Sequence, residues 1–108
     1  MAKFEIYNDK SGEFRFRLKA DNGQNILASE GYTTKANCLN GIESVRENSQ
    51  GDFNFQHLES KNGNHYFNLK ASNGQVIGTS QMYTSNSGVE TGIDSVKKNA
   101  PSAELLNK

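Results

Sequence analysis

One seven-residue segment occurs twice in this chain and constrains how it can fold. The sequence LKADNGQ at residues 18–24 returns as LKASNGQ at residues 69–75, which is 51 positions later. The same shift relates residues without a gap over most of the chain. In both copies an Asn-Gly pair separates two alternating apolar runs, a pattern typical of a β-hairpin with a type I′ turn. The sequence therefore predicts a tandem duplication whose fold comes from pairing two similar units.

Alternation of apolar and polar residues predicts the strands of each unit. The clearest case is residues 13–21, where Phe14, Phe16 and Leu18 alternate with charged residues, as in a strand with one buried face. Residues 52–59 are predicted as one long strand that closes the first unit and opens the second. The other predicted strands are residues 3–9, 24–29, 64–72, 75–80 and 103–106.

Helical spacing of apolar residues predicts one helix in each unit. The first spans Thr34 to about Asn48, with Thr33 or Thr34 as N-cap, and the second begins at Ser85. Because Gly41 lies on the apolar face, we expect another element to approach the helix closely there. The second helix reproduces the apolar stripe of the first, with Val89, Gly92, Ile93 and Val96 standing for Cys38, Gly41, Ile42 and Val45.

These elements predict an α+β fold of two tandem β-β-β-α-β repeats, at about residues 3–54 and 55–106. A single repeat offers one helix and one small sheet face, a marginal core on its own. We therefore expect one mainly antiparallel sheet with both helices on one face, pseudo-twofold symmetry and exchanged C-terminal strands. The 108 residues make a single domain, and a hydrophobic fraction of 33% predicts a thin core.

Composition narrows the function classes. Twelve basic and twelve acidic residues give a net charge of zero, so the chain lacks the overall basic character of many nucleic-acid-binding proteins. No apolar run has the length of a signal peptide or a membrane span. The one cysteine, Cys38, cannot form an internal disulfide, and together these features predict a cytoplasmic protein without membrane contact.

Three motifs of the first repeat return over residues 67–96: Phe16-x-Leu18-Lys19-Ala20-x-Asn22-Gly23-Gln24-x-Ile26, Ser29-x-x-Tyr32-Thr33 and Gly41-Ile42-x-Ser44-Val45. With these motifs the chain resembles the YegP-like family of small bacterial proteins, and the resemblance covers nearly its whole length. It implies two β-β-β-α-β repeats that form one sheet and exchange their C-terminal strands, an arrangement that single-repeat relatives reach as homodimers. It implies no catalytic residues.

Three sets of residues offer chemistry that packing alone does not require. His57 and His65 stand where the first repeat has Ile6 and Phe14, and two histidines facing each other across a hairpin suggest a metal site, an acid-base pair or a half-buried polar replacement. Cys38 lies on the helical stripe and is predicted to pack in the core rather than react. Tyr32 and its counterpart Tyr83 are predicted to fill the corner between sheet and helix, where a small symmetric ligand pocket is the alternative.

The outer sheet face is the candidate binding surface, since it combines cations with aromatic rings. Such a face can bind single-stranded nucleic acid, with phosphates on the cations and bases on the rings, whereas the alternative is an ordinary solvated face. Its residues are Tyr7, Arg15, Arg17, Lys19, Tyr66 and Lys70.

The sequence therefore predicts a monomeric, non-enzymatic interaction module that binds a protein or peptide at a sheet edge or groove. Weak single-stranded nucleic-acid binding on the outer face is the alternative function. No catalytic residue, cofactor-binding residue, metal ligand or cofactor is predicted.

Overall fold

The computed structural model describes residues 2–107 and contains two helices and seven strands. Neither described helix has the length and apolar character needed to cross a membrane. The strands are β1 (Lys3–Asn8), β2 (Phe14–Lys19), β3 (Asn25–Ala28), β4 (Phe55–Glu59), β5 (His65–Lys70), β6 (Val76–Thr79) and β7 (Glu104–Asn107), and the helices are α1 (Lys35–Asn48) and α2 (Asn86–Asn99).

All the strands join one sheet in the order β4-β5-β6-β3-β2-β1-β7. The two repeats meet where β3 and β6 run antiparallel, with Ala28 opposite Thr79. Every pairing is antiparallel except that of β1 with β7, which is parallel. Because β7 belongs to the second repeat and β1 to the first, the closing strand of the second repeat is exchanged, as predicted.

Both helices cover the same face of this sheet and enclose the core. The inward residues of β2 and β5, such as Phe16 and Phe67, are fully buried against helix residues such as Val45 and Val96. The predicted N-caps are confirmed, since Thr34 Oγ1 accepts a hydrogen bond from the backbone N–H of Asn37. Ser85 caps α2 in the same way. The α+β tandem fold predicted from the repeat is therefore confirmed.

The prediction of type I′ hairpin turns is wrong. Such turns need positive φ at both central residues, but among residues 2–107 no residue other than glycine has positive φ. Instead, Gly23 has a φ of 85° and donates its N–H to the carbonyl of Ala20, which pairs with Gln24. The loop thus has three residues, a turn followed by a left-handed glycine, and Asn22 keeps an ordinary φ while its side chain accepts from the N–H of Gln24.

The prediction of one strand over residues 52–59 is also wrong at its start. Asp52–Asn54 form a 3-10 turn, and the Phe55 N–H donates to the carbonyl of Asp52 before β4 begins. The Asn54 side-chain amide donates to the carbonyl of Asn48 at 2.9 Å, which holds this turn against the end of α1. The closing segment of the first repeat therefore leads into β4 and forms no separate strand of its own.

Candidate binding edge at strand β4

Strand β7 covers the outer side of β1 in a defined register. Leu105 lies beside Phe4 and Asn107 beside Ile6, and the N–H of Glu104 donates to the carbonyl of Ala2. Under this cover Phe4 is completely buried and Ile6 is 3% exposed. The first repeat thus has its edge closed by a strand from the second.

Strand β4 is the counterpart of β1, 51 residues later, and it has no such cover. It forms the opposite edge of the sheet, and within residues 2–107 no strand pairs with its outer side. Phe55, the counterpart of Phe4, is only partly buried, and His57, the counterpart of Ile6, is exposed. The pseudo-twofold relation is therefore broken at one position, where a strand equivalent to β7 would lie.

The backbone of β4 presents hydrogen-bonding groups to this open side. In an antiparallel pair, opposite residues alternate between sharing hydrogen bonds and pointing their backbone groups away from each other. His57 lies opposite Phe67, whose N–H and C=O both bond to Ser80 on the far side of β5. The N–H and C=O of His57 therefore face outward, as do those of Glu59, because its partner His65 exchanges both of its bonds with Tyr83.

The two histidines lie side by side at this edge. His57 Nε2 is 3.1 Å from His65 Nδ1, with the rings edge to face, and a carboxylate oxygen of Glu59 is 3.9 Å from the same His65 nitrogen. No three His, Cys, Asp or Glu residues among the described part of the chain form a group that could hold a metal ion. The two ring nitrogens are close enough for one imidazole to donate a hydrogen bond to the other.

An exposed aromatic residue stands where β4 begins. Phe53, in the 3-10 turn before the strand, has 92% of its surface accessible to solvent. Aromatic side chains of this kind bury a large apolar area when a partner covers them, and they are enriched at the centres of protein interfaces. The edge thus combines outward backbone groups with one large apolar side chain.

The predicted outer-face surface is not continuous. Its members on β1 and β2 are separated from Tyr66 and Lys70 on β5 by the two central strands, β3 and β6. Arg17 lies over the ring of Tyr7, with 4.5 Å from the guanidinium carbon to the ring centroid. The surface therefore consists of two smaller patches.

The cations of the larger patch are paired with carboxylates. Arg15 bonds to Asp9 at 2.7 Å, and Glu5, which is 3% exposed, accepts from Arg17 at 3.0 Å and lies 3.4 Å from Lys19. The Arg15 guanidinium holds the pKa of Asp9 well below its usual range, and the carboxylate raises the pKa of Arg15 in turn. These pairs leave less positive charge for phosphate groups than the sequence suggests.

The remaining candidates pack as predicted. Cys38 is fully buried, and burial raises the pKa of its thiol, so little reactive thiolate forms. The Tyr32 ring stacks on Phe16 and lies against Gly41, where an added Cβ would be 2.5 Å from the tyrosine hydroxyl. Tyr83 repeats this arrangement over Gly92. Gly41 and Gly92 thus admit the tyrosine rings into the corners between sheet and helix.

Comparison with known proteins places the chain in a family. A family model described as a domain of unknown function, DUF1508, matches residues 9–54 and again residues 60–106. A UPF0339 protein in the 5′ region of the ptx operon of Stutzerimonas stutzeri is 57% identical over 103 residues, which are 95% of this chain and 93% of the relative. The UPF0339 protein YegP of Escherichia coli K12 is 50% identical over 99 residues, 92% of this chain and 90% of the relative.

Solved structures show the same fold. The solution NMR structure of YegP, a protein of unknown function from Escherichia coli, matches with a TM-score of 0.94 at 46% identity, covering 99% of this chain and 92% of that chain. A UPF0339 protein from Shewanella oneidensis matches with a TM-score of 0.92 at 43% identity, covering 98% and 90%. The names of these relatives state no activity. With its two matches in tandem, this chain belongs to the DUF1508 family and is a YegP-like protein.

Proposed function

We propose that this protein is a non-enzymatic interaction module that binds an extended segment of a partner protein as an added strand beside β4. The proposal rests on a difference between two equivalent strands: β1 has β7 on its outer side, whereas β4 ends the sheet. The internal pairing of β1 with β7 supplies the geometry of the added strand, which would run parallel to β4. Strand addition of this kind draws affinity from backbone hydrogen bonds and specificity from alternate side chains.

The backbone and surface of the edge support this function. The outward N–H and C=O groups of His57 and Glu59 can pair with a partner strand, and Phe53 can be covered by an apolar residue of the partner. Proteins commonly protect open edges with proline, bulges or charged residues. Strand β4 has five residues and no proline, and its polar side chains Gln56, His57 and Glu59 keep it in contact with water between binding events.

A peptide titration followed by amide chemical shifts tests the proposal. The probe is an acetylated and amidated peptide with the sequence of residues 100–107, APSAELLN, which contains the strand that β1 accepts. We expect saturable shifts at His57, Leu58 and Glu59. Shifts that avoid β4, with this probe and with unrelated extended peptides, would overturn the proposal.

Two substitutions at one position provide the matched control. His57→Pro removes an outward N–H without removing a bond between β4 and β5, so binding should be lost while the sheet remains intact. His57→Thr keeps the N–H and suits a strand, so binding should persist. A second copy of the chain could occupy this edge instead of a different protein, and sedimentation velocity over a range of concentrations would detect it as a dimer. A dimer that His57→Pro abolishes would show that a second copy of the chain fills this edge.

A further inference from the structure

We infer that the segment bound beside β4 carries an aliphatic residue next to Phe55 and a carboxylate two residues later, next to His57. The inference rests on the proposed function and specifies the chemistry of its ligand. It follows from the register of β7 on β1 and from two histidines at this edge, His57 and His65, which replace Ile6 and Phe14 of the first repeat.

The register of the internal strand fixes which partner residues lie beside which side chains. Leu105 lies next to Phe4 and Asn107 next to Ile6, and the 51-residue shift transfers these positions to Phe55 and His57. Neighbouring strands are about 4.8 Å apart, and side chains in register project from the same face. A partner residue aligned like Leu105 therefore meets the partly buried ring of Phe55, and the residue two positions on meets the imidazole of His57.

The change from an apolar pair to an imidazole pair decides what the second position prefers. The first repeat has Ile6 and Phe14 at these two positions, whereas the second has His57 and His65, with their ring nitrogens 3.1 Å apart. An imidazole can carry a positive charge, which the side chains of Ile6 and Phe14 cannot. Two adjacent imidazoles repel each other when both are protonated, and a carboxylate at the neighbouring strand position relieves this repulsion.

The groups facing this pair set the size of the effect. Glu59 on β4 already lies 3.9 Å from His65, and the phenol-bearing Tyr83 pairs with the backbone of His65 from beyond β5. His57 is exposed on the edge strand β4, and within residues 2–107 no strand lies on its outer side, so a carboxylate on an added strand can approach it. Because His57 is exposed, we expect a carboxylate beside it to strengthen binding about threefold.

Three end-blocked peptides test the inference: APSAELLN, APSAELLE and APSAELLQ, which differ only at the residue placed beside His57. At pH 5.5 the glutamate peptide should bind about threefold more tightly than the glutamine peptide, and the difference should be no larger at pH 8. In His57→Thr, which keeps the backbone N–H at this position, the preference should vanish at both pH values. Amide spectra of the free variant confirm that it is folded.

The outcomes separate the two proposals. Equal binding of the glutamate and glutamine peptides at β4 at both pH values overturns the carboxylate preference and leaves strand addition standing. A preference that survives in His57→Thr also overturns it, because the carboxylate would then act elsewhere. Failure of all three peptides to shift any amide of β4 overturns strand addition and, with it, the ligand chemistry inferred here.

Discussion

Leu27 occupies the space that a side chain at Gly78, its counterpart 51 residues later, would need. A Cβ built on Gly78 would lie 2.7 Å from both Cγ and Cδ2 of Leu27. The two residues belong to β3 and β6, the strands that join the repeats, so equivalent positions come close to each other near the pseudo-twofold axis. Two leucines cannot both fit there, and one repeat supplies the side chain while the other supplies the room.

Gly78→Leu should therefore destabilise the protein by about 1–3 kcal/mol, because the new side chain overfills a closed junction. Chemical denaturation followed by circular dichroism measures the change in the free energy of unfolding. The exchanged double variant, with Leu27→Gly and Gly78→Leu, should recover part of this loss because one large and one small residue are again present. If Gly78→Leu alone were as stable as the natural chain, the junction would not be sterically limited.

The repeated sequence is sufficient to predict the architecture and the paired hairpins, because the alternation of apolar residues and the 51-residue shift can both be read directly from the sequence. It is insufficient for the turn at Asn22, where an Asn-Gly pair suits two loop lengths and only the hydrogen bond from Gly23 to Ala20 distinguishes them. Aligning the repeats also shows that Gly78 corresponds to Leu27, but it does not show that these two residues meet near the pseudo-twofold axis. That contact depends on which strands join the repeats.

The open edge at β4 also could not be predicted from the sequence, because it depends on which strands lie next to each other. Residues 52–55 align with the closing strand of the second repeat, yet Phe55 also begins the second repeat. One segment cannot pair beside a strand that it leads into, so the tandem arrangement can exchange only one closing strand. The sequence shows that His57 replaces Ile6, but it does not show that the position of His57 lacks the cover that buries Ile6.

Arg46 holds the exchanged strand in place. Its guanidinium donates to the carbonyls of Pro101 at 3.1 Å and Ala103 at 3.0 Å, and it lies over the ring of Phe4. Arg46→Met should lower the free energy of unfolding by about 2–3 kcal/mol, because hydrogen bonds from a charged donor are lost, and the one to Ala103 is partly buried. Hydrogen exchange should also rise in β1 before it rises in β5.

The counterpart Lys97 is the matched control for Arg46. It pairs instead with Asp52, whose side chain is largely exposed, so Lys97→Met should change the free energy of unfolding by less than about 1 kcal/mol. A chain ending at Ser102 should reproduce the effect of Arg46→Met in β1, since both loosen β7. If the Arg46 and Lys97 variants lowered the free energy of unfolding equally, the hydrogen bonds from Arg46 to the segment before β7 would contribute no more than a surface ion pair.

The first hairpin should weaken in acid. Asp9 accepts hydrogen bonds from Arg15 and Ser11, and this environment lowers the pKa of its carboxyl. A carboxyl whose pKa falls on folding stabilises the native state above its unfolded pKa, near 4, and this stabilisation is lost as the pH falls further. The stability of Asp9→Asn should therefore depend less on pH below 4 than that of the natural chain. Denaturation at several pH values measures this, and Arg15→Gln should reduce the dependence too.

Mixed single-stranded oligonucleotides provide the test of the alternative function on the outer face. Arg17 and Lys19 already share the buried carboxylate of Glu5, and Arg15 is paired with Asp9, so phosphate groups must compete with these partners. We expect amide shifts at these residues to be small at low salt and absent near 150 mM salt, because binding through phosphates weakens steeply with ionic strength.

Large, saturable shifts at Arg15, Arg17 and Lys19 that persist at 150 mM salt would contradict this expectation. Such a result, lost in Arg17→Ala and retained in His57→Pro, would place nucleic-acid binding on the outer face and separate it from the β4 edge.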